Sequence, residues 1–437
     1  DTIEIESKMI EGARLFSPRN DRVFKDPRSR IIEDDARTFF SATHAKYDII
    51  ISEPSNPWVS GVASLFSKEF YQRIRQHLNP GGVLAQWIQL YELSPALLAT
   101  IVTAMHETFP DFTLFATDGS NLVLLARADG PIGPLSGKVF DYPALKQELA
   151  PFRVIDQLSL ELHRVGDART LVPLFMSYEV PANSDYFPYL DARAARARFL
   201  GDSARPVLQL AATAIPAMEI LGSPRHDDGW LERPAETPPA NAQVRLPRIK
   251  RASVARAISR KLLGLPTKPG PDKIPSPLAA ATQRVHGAFT ECSEAPQGDD
   301  LYRALYTLGS SINAELDRRS ATQVWDHLGR SPCLKTFDAH TRDWFQLLGA
   351  AGARNGKAML TPATRLLDSP KKETGRAGRF LLEAAMLGLI DSGKPAAAKS
   401  LWTERSKGLF PDGKKPLLHR LILSQAHVRM TAQAQTP

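Results

Sequence analysis

The sequence predicts a doubly wound α/β sheet over roughly the first 130 residues and an all-helical region toward the C-terminus. Three observations carry this. Short β-branched runs alternate with helical patterns from Thr2 to Ala126, as strands joined by crossover helices do. Residues 224–277 contain ten prolines, which reads as a linker between two halves. The halves also differ in charge: residues 1–200 hold 21 Lys/Arg against 25 Asp/Glu, net −4, and residues 201–437 hold 34 against 22, net +12. A chain of 437 residues makes two or three domains at roughly 100–200 residues each.

The elements follow in order. Thr2–Glu6 reads as a strand, Lys8–Phe16 as a helix, Arg30–Glu33 as a short strand and Asp35–Ala42 as a helix. Tyr47-Asp-Ile-Ile-Ile-Ser52 is an apolar strand of the kind buried on both faces. Ser64–Leu78 is helical, and Asn79-Pro-Gly-Gly82 supplies the turn that stops it. Val83–Leu90 is a strand and Pro95–Phe109 a helix. Phe112–Ala116 and Leu122–Ala126 close the region as a hairpin at one edge of a parallel sheet. Residues 138–200 are mixed, with a turn-rich loop at Asn183-Ser-Asp-Tyr-Phe-Pro188 before a basic helical stretch from Ala192 to Phe199.

Within the Pro-rich stretch, Arg245–Pro271 has eight Lys/Arg and no acid. Ala252–Leu263 has the pattern of a short basic amphipathic helix that would suit anionic lipid or RNA. A solvated linker is the plainer reading. From Pro277 to Met430, segments such as Leu301–Leu316, Thr341–Ala353, Gly378–Ser392 and Ala396–Lys407 recur every 35–45 residues or so, as in tetratricopeptide-like helical arrays but without a clean consensus. Their Trp325, Trp344, Phe345 and Trp402 read as core. The domain division is therefore 1–202, 203–276 and 277–437.

Composition narrows the function. The acidic half suits a cationic ligand; the basic half suits phosphate, nucleic acid, anionic lipid or simply solubility. Two cysteines, Cys292 and Cys333, build neither a disulfide framework nor a four-cysteine zinc site, so a reduced compartment is the default. No run reaches the ~18 uninterrupted apolar residues of a membrane span; Val207–Leu221 comes nearest and reads as a buried or interfacial helix.

In a doubly wound sheet, ligands sit beyond the carboxyl ends of the strands, and several acids stand there. Glu4 and Glu6 end the first strand; one carboxylate there matches the two adjacent hydroxyls of a ribose, and a surface acid is the plainer reading of either alone. Asp34 and Asp35 follow the second strand. An Asp before a helix is an ordinary N-cap, and the functional reading is an acceptor for an adenine amino group. Glu53 ends the third strand in Ser52-Glu-Pro-Ser-Asn-Pro-Trp58. Pro54 and Pro57 stiffen that loop and remove two amide donors, leaving a rigidly presented carboxylate suited to binding an amine or accepting its proton.

Together these residues resemble the catalytic domain of spermidine synthases, the polyamine aminopropyltransferases, and most of all the bacterial type often fused to membrane segments. The resemblance runs through Thr2–Glu6, Asp34-Asp-Ala-Arg-Thr-Phe39, Tyr47–Trp58, Ser64–Tyr71, Leu78-Asn-Pro-Gly-Gly82, Gln86 and the loop Asn183–Pro188, and covers about residues 1–200. It implies a Rossmann-like fold of the class I methyltransferase kind. It also implies decarboxylated S-adenosylmethionine or S-adenosylmethionine as cofactor, without a metal. Glu4 would hold the ribose and Asp34, Asp35 and Ala36 the adenine, Glu53 would take the proton of the attacking amine, and Asn56, Tyr71, Gln86 and Asp185 would line the substrate side. The partners expected are a small-molecule amine and a second copy of the chain, with a protein bound by the helical region on the strength of its repeat-like pattern alone; no nucleic acid is expected. The implied location is the cytoplasmic side, with the parent protein anchored through an N-terminal region.

Three departures stand out. The family's catalytic aspartate is Glu53 here, a nearby family aspartate is Asn56, and the Asn56–Leu65 loop is one residue longer and carries Trp58. The lost charge argues against a standard putrescine site. The family's first strand and Gly-rich loop are also expected upstream of Thr2; no G-x-G-x-x-G occurs in the sequence. That strand would lie between those at Thr2 and Tyr47, so the chain reads as N-terminally truncated and, as it stands, without a working site. The functional expectation is aminopropyl transfer to an amine. The alternatives are a methyltransferase and a non-catalytic scaffold whose helices bind a partner.

Overall fold

A computed structural model of the chain describes residues 1–225, 229–232, 239, 242–266, 272–292, 299–410 and 415–435. The N-terminal half runs β1 (Thr2–Glu4), α1 (Ser7–Ala13), α2 (Asp21–Lys25), β2 (Ile31–Glu33), α3 (Ala36–Ala42), β3 (Tyr47–Ser52), α4 (Lys68–Gln76), β4 (Leu78–Gln89), α5 (Pro95–His106), β5 (Asp111–Ala116), β6 (Asn121–Arg127), α6 (Pro143–Leu149), α7 (Gln157–Glu161), β7 (Arg164–Asp167), α8 (Ala168–Met176) and α9 (Asp191–Leu200). Side chains set the helix starts: Asp35, Ser67 and Ser94 accept from the backbone amides of Thr38, Phe70 and Leu97.

The strands form two sheets. β1 and β2 pair in parallel, with Glu4 opposite Glu33. The larger sheet has the order β3-β4-β6-β5-β7. Only β3 and β4 are parallel in it; the other three pairs are antiparallel. The alternating half is thus a mixed Rossmann-like sheet. The β5/β6 hairpin is not at the edge: β6 inserts between β4 and β5, and β7 forms the edge. The insertion follows from polarity, since β6 returns antiparallel and its Leu122, Leu124 and Ala126 fill the core beside β4.

The Asn79–Gly82 turn lies inside β4. The β3/β4 register jumps from Tyr47↔Leu78 to Ile49↔Val83, so these residues bulge out of the ladder. Gly81 takes φ +77°, and a Cβ on Gly82 would stand 2.8 Å from the carbonyl oxygen of Asn79.

β3 corrects the expectation of burial on both faces. Ile50 is 7% exposed, but Ile49 and Ile51 are 63% and 72% exposed. Alternate residues face opposite sides of a strand, and only the Ile50 side is covered. Among the described residues no strand lies between β1 and β3. The Tyr47 hydroxyl donates to the Asp1 carboxylate at 3.0 Å, which holds the starts of the two strands together.

The chain continues through α10 (Pro206–Gln209), α11 (Ala217–Leu221) and α12 (Pro247–Leu262) into α13 (Ser276–Thr290), α14 (Asp299–Glu315), α15 (Arg318–Gly329), α16 (Ala339–Gly352), α17 (Gly356–Leu367), α18 (Gly375–Asp391), α19 (Pro395–Leu409) and α20 (Leu417–Ala434). Within the region read as a linker, the basic stretch folds as α12. Ile249, Ala252, Ala255, Ile258 and Leu262 are buried in the protein, so this helix presents no apolar face to lipid or RNA. From α16 to α20 each helix packs on the next. Trp325, Trp344, Phe345 and Trp402 are all buried, as expected of core residues.

Cys292 and Cys333 are joined in a disulfide, with Cα atoms 4.8 Å apart. It ties the end of α13 to the turn before α16, in place of the free thiols expected. No helix among the described residues is long and apolar enough to cross a membrane.

Candidate functional site

Two parallel pairs, β1/β2 and β3/β4, carry the candidate acids at their carboxyl ends. At the carboxyl end of β1, Glu4 accepts the amide of Glu6 at 2.9 Å, and Glu6 in turn caps α1 by accepting the amide of Lys8. The amide of Asp34 donates to the Glu4 carbonyl at 3.2 Å, so the candidate ribose and adenine acceptors are neighbours. Asp34 accepts the amide of Asp35 at 2.8 Å. Asp35 is the N-cap of α3, which Ala36 opens. The plainer reading of Asp35 therefore holds, and half-burial of Glu4, Asp34 and Asp35 leaves their carboxylates reachable.

Arg37, four residues past β2, donates to the carbonyl of Ser64 at 3.1 Å, beyond β3. This bond ties the helix after β2 to the segment after β3. There Glu53 is exposed and Asn56 half-buried. The Asn56 carbonyl accepts the amide of Val59 at 2.9 Å, closing the loop on itself. Gln86 stands opposite Ser52 across β3 and β4, and its amide nitrogen donates to the Ser52 carbonyl at 3.2 Å. Gln86 thus fixes the strand end from which Glu53 projects. It is fully buried, so it supports that strand end from the inside and does not line the substrate side as expected.

Of the residues expected on the substrate side, Tyr71 is placed elsewhere and Asp185 is already paired within the chain. Tyr71 lies wholly inside the core, its hydroxyl without a partner, and burial drives its pKa strongly upward. Helical spacing placed it correctly on α4, but α4 turns that face inward with Phe70 and Ile74. Asp185 is engaged in a two-pronged ion pair with Arg37, one prong 2.8 Å long. That bond to Arg37 holds its carboxyl below the usual range, and its charge is spent on a cation of the chain itself.

Trp58, noted in the sequence as a departure, has neighbours that were not singled out. Trp58 packs edge-on to Tyr91, ring centres 6.4 Å apart, with the Arg198 guanidinium 5.2 Å from the Trp58 ring. Tyr91 follows β4, so this contact joins the loops of the two parallel strands. Glu69 accepts both the Ser184 hydroxyl and the Asp185 amide. Arg37 and Glu69 sat inside the motif stretches, yet nothing in the linear order showed that a loop 148 residues from Arg37 and 115 from Glu69 meets them — that is a property of the packing alone. Among the described residues no group of three His, Cys, Asp or Glu side chains is arranged to hold a metal.

This geometry can be set beside known proteins. Residues 1–118 match the family model described as the spermine/spermidine synthase domain. Polyamine aminopropyltransferase 1 of Pseudomonas aeruginosa is 36% identical over 83 residues, which is 19% of this chain and 29% of that protein. Spermine synthase of Arabidopsis thaliana is 26% identical over 187 residues, covering 41% and 51%. A polyamine aminopropyltransferase of Synechococcus is 29% identical over 190 residues, covering 41% and 57%. The N-terminal region of this chain is spermidine synthase-like. The chain spans between 29% and 57% of the length of these relatives. Readings as a methyltransferase or as a non-catalytic scaffold gain no support from the comparisons.

Proposed function

We propose that this chain carries the acceptor and nucleoside sides of an aminopropyltransferase site, which uses decarboxylated S-adenosylmethionine and a small amine. The observation that supports it most is the set of acids Glu4, Asp34–Asp35 and Glu53 beyond the carboxyl ends of β1, β2 and β3, within a region matching the spermine/spermidine synthase domain.

The residues fit the nucleoside part of the donor. Glu4 and Asp34 are joined through the backbone, so a carboxylate suited to ribose hydroxyls lies beside one suited to an adenine amino group. When bound, the donor supplies a carbon made electrophilic by its sulfonium. Glu53 accepts a proton from the ammonium of the acceptor and leaves a neutral, nucleophilic amine. As the nitrogen–carbon bond forms, the carbon–sulfur bond breaks and the thioether leaves uncharged. The stiff Pro54–Pro57 loop fixes Glu53 for this role, and Gln86 holds the strand end behind it. Asn56, in place of a second acid, leaves the acceptor side less negative than a diamine site, favouring an acceptor with one cationic centre near Glu53.

The test is Glu53→Gln. Aminopropyl transfer should fall by roughly 10²–10⁴-fold, the usual contribution of a positioned general base, while calorimetry shows nearly unchanged affinity for the donor. Unchanged turnover would remove Glu53 from the mechanism, and failure of a protein that also carries the strand and Gly-rich loop expected upstream of Thr2 to bind the donor would remove the function.

A further inference from the structure

The loop Asn183–Pro188 is held far more firmly at its base than at its tip. The Asn183 side chain donates to the Ala63 carbonyl at 2.9 Å and accepts the Leu190 amide at 3.1 Å. Its carbonyl accepts the Lys68 amide at 2.9 Å, and its amide donates to Thr100 at 3.2 Å. Glu69 takes the Ser184 hydroxyl at 2.7 Å and the Asp185 amide at 2.9 Å. Arg37 then grips the Asp185 carboxylate with both terminal nitrogens while one of them also reaches Ser64. The loop is thereby fastened to α4, α5 and the first turn of α3.

At the tip the situation reverses. Tyr186 is 90% exposed and Phe187 57% exposed. Two aromatic rings presented outward on an anchored loop are poised to cover something flat or apolar. At the base of the loop is a cavity of about 350 Å³ lined by Arg37, Gly61, Ser64, Asp185, Pro188 and Asp191. Arg37 is two residues beyond Asp35, the candidate adenine acceptor, so a single side chain spans from the nucleoside side to the base of the aromatic-tipped loop.

We infer that Arg37 is a positioning residue: through its ion pair with Asp185 it couples occupation of the nucleoside side at Asp34–Asp35 to the seating of the Ser184–Pro188 loop. The inference rests on the proposed function for the identity of the nucleoside and on the geometry alone for the anchoring. Coupling of this kind is reciprocal. A bound nucleoside steadies the first turn of α3, and hence Arg37 and the loop. A seated loop in turn holds Arg37 where α3 can receive the nucleoside. A lysine at position 37 would keep the charge but lose the two-pronged geometry.

The experiment uses the full chain with 5′-methylthioadenosine as probe, measuring affinity by calorimetry and amide exchange at Ser184–Phe187 by mass spectrometry. Arg37→Ala should lose exchange protection across the loop and weaken the nucleoside roughly tenfold, within the usual range for coupled sites. Arg37→Lys should fall between, and the exchange Arg37→Asp with Asp185→Arg should restore protection. Weakened binding with unchanged exchange would mean that Arg37 touches the nucleoside itself, and lost protection with unchanged binding would mean that the loop is anchored but uncoupled; either overturns the inference while the transferase reading stands. No nucleoside binding by the unmodified chain would overturn the coupling, and that reading falls with it only if a protein carrying the upstream strand and Gly-rich loop also fails to bind.

Discussion

Glu383 and His419 show how burial can outweigh an apparent ion pair. Their side chains approach to 3.4 Å, and His419 is sandwiched between Trp402 and Phe410, ring centres 4.8 and 4.6 Å away. Burial raises the Glu383 carboxyl to about 8, against a smaller opposing pull from Arg379, and lowers His419 to about 4. At neutral pH both are therefore uncharged in the folded chain. The signs follow from linkage. Glu383 binds its proton more tightly folded than unfolded, so its contribution is complete below its ordinary value of 4.5 and is lost as pH rises toward about 8. His419 does the opposite: its contribution is complete above 6.5 and is lost as pH falls toward about 4. Glu383→Gln should flatten the decline in melting temperature on the alkaline side of this window and leave the His419 limb in place. An unaltered alkaline decline would show that Glu383 is ionised in the folded protein. At this same scale, the acids ending the first three strands could be read from the sequence because they sit at strand ends. The core location of Tyr71 and the Arg37–Asp185 pairing could not.

Among the elements, the helices of the second half depend on glycine for close approach rather than for flexibility. A Cβ on Gly388 of α18 would stand 2.9 Å from the Leu360 Cβ and 3.0 Å from the Gly356 carbonyl oxygen, both on α17. Replacing a helical glycine by alanine ordinarily gains about 1 kcal/mol of propensity. Here the backbones would have to part, so Gly388→Ala should instead cost about 1–3 kcal/mol, the usual penalty for overpacking. The midpoint of denaturant unfolding reads this directly, and a stabilised variant would show that α17 and α18 are not in close contact. The strands give the complementary lesson. The run Tyr47–Ser52 holds three consecutive isoleucines, Ile49–Ile51, and composition alone cannot tell that only the Ile50 face has a cover. The hairpin of β5 and β6 was legible as two strands and a turn, but its insertion beside β4 depends on pairing between residues 32 to 44 positions apart in sequence, from Gln89↔Asn121 to Val83↔Arg127.

The whole molecule is held together by buried charge as well as by apolar packing. Glu219 sits between Arg225 and Arg354, with contacts of 2.6 and 3.0 Å. Burial alone would raise its carboxyl; the two arginines prevail and hold it down at about 2. Arg225 and Arg354 also reach the carbonyl of Leu316, at the end of α14, and Arg248 of α12 pairs with Glu315 at 3.3 Å while donating to the Leu162 and Arg164 carbonyls. On another side, Gln425 of α20 donates to the carbonyls of Arg169 and Thr170 at the start of α8. Glu219 contributes stability that is complete above its ordinary value of 4.5 and is lost as pH falls toward about 2. Glu219→Gln leaves two buried arginines short of a counter-charge, which should cost about 3–5 kcal/mol and flatten the acid limb of the stability curve. A variant as stable as the parent at neutral pH would mean that this cluster does not join the halves.

What the sequence determined by itself is local. The alternation of short apolar runs with helical patterns, the capping aspartates, the acids at strand ends and the stiff loop around Glu53 each depend on residues a few positions apart, and local spacing encodes them. The resemblance that identifies the N-terminal region lies in those same short stretches. What only the tertiary structure decided depends on residues far apart in the chain. The basic stretch read as a linker contains a buried helix because Arg248 finds Glu315 and its apolar face finds the second half. The two cysteines meet across 41 residues. Asp185, which the resemblance placed on the substrate side, is claimed by Arg37, because only the folded chain brings a cation of α3 to a loop that follows the sheet.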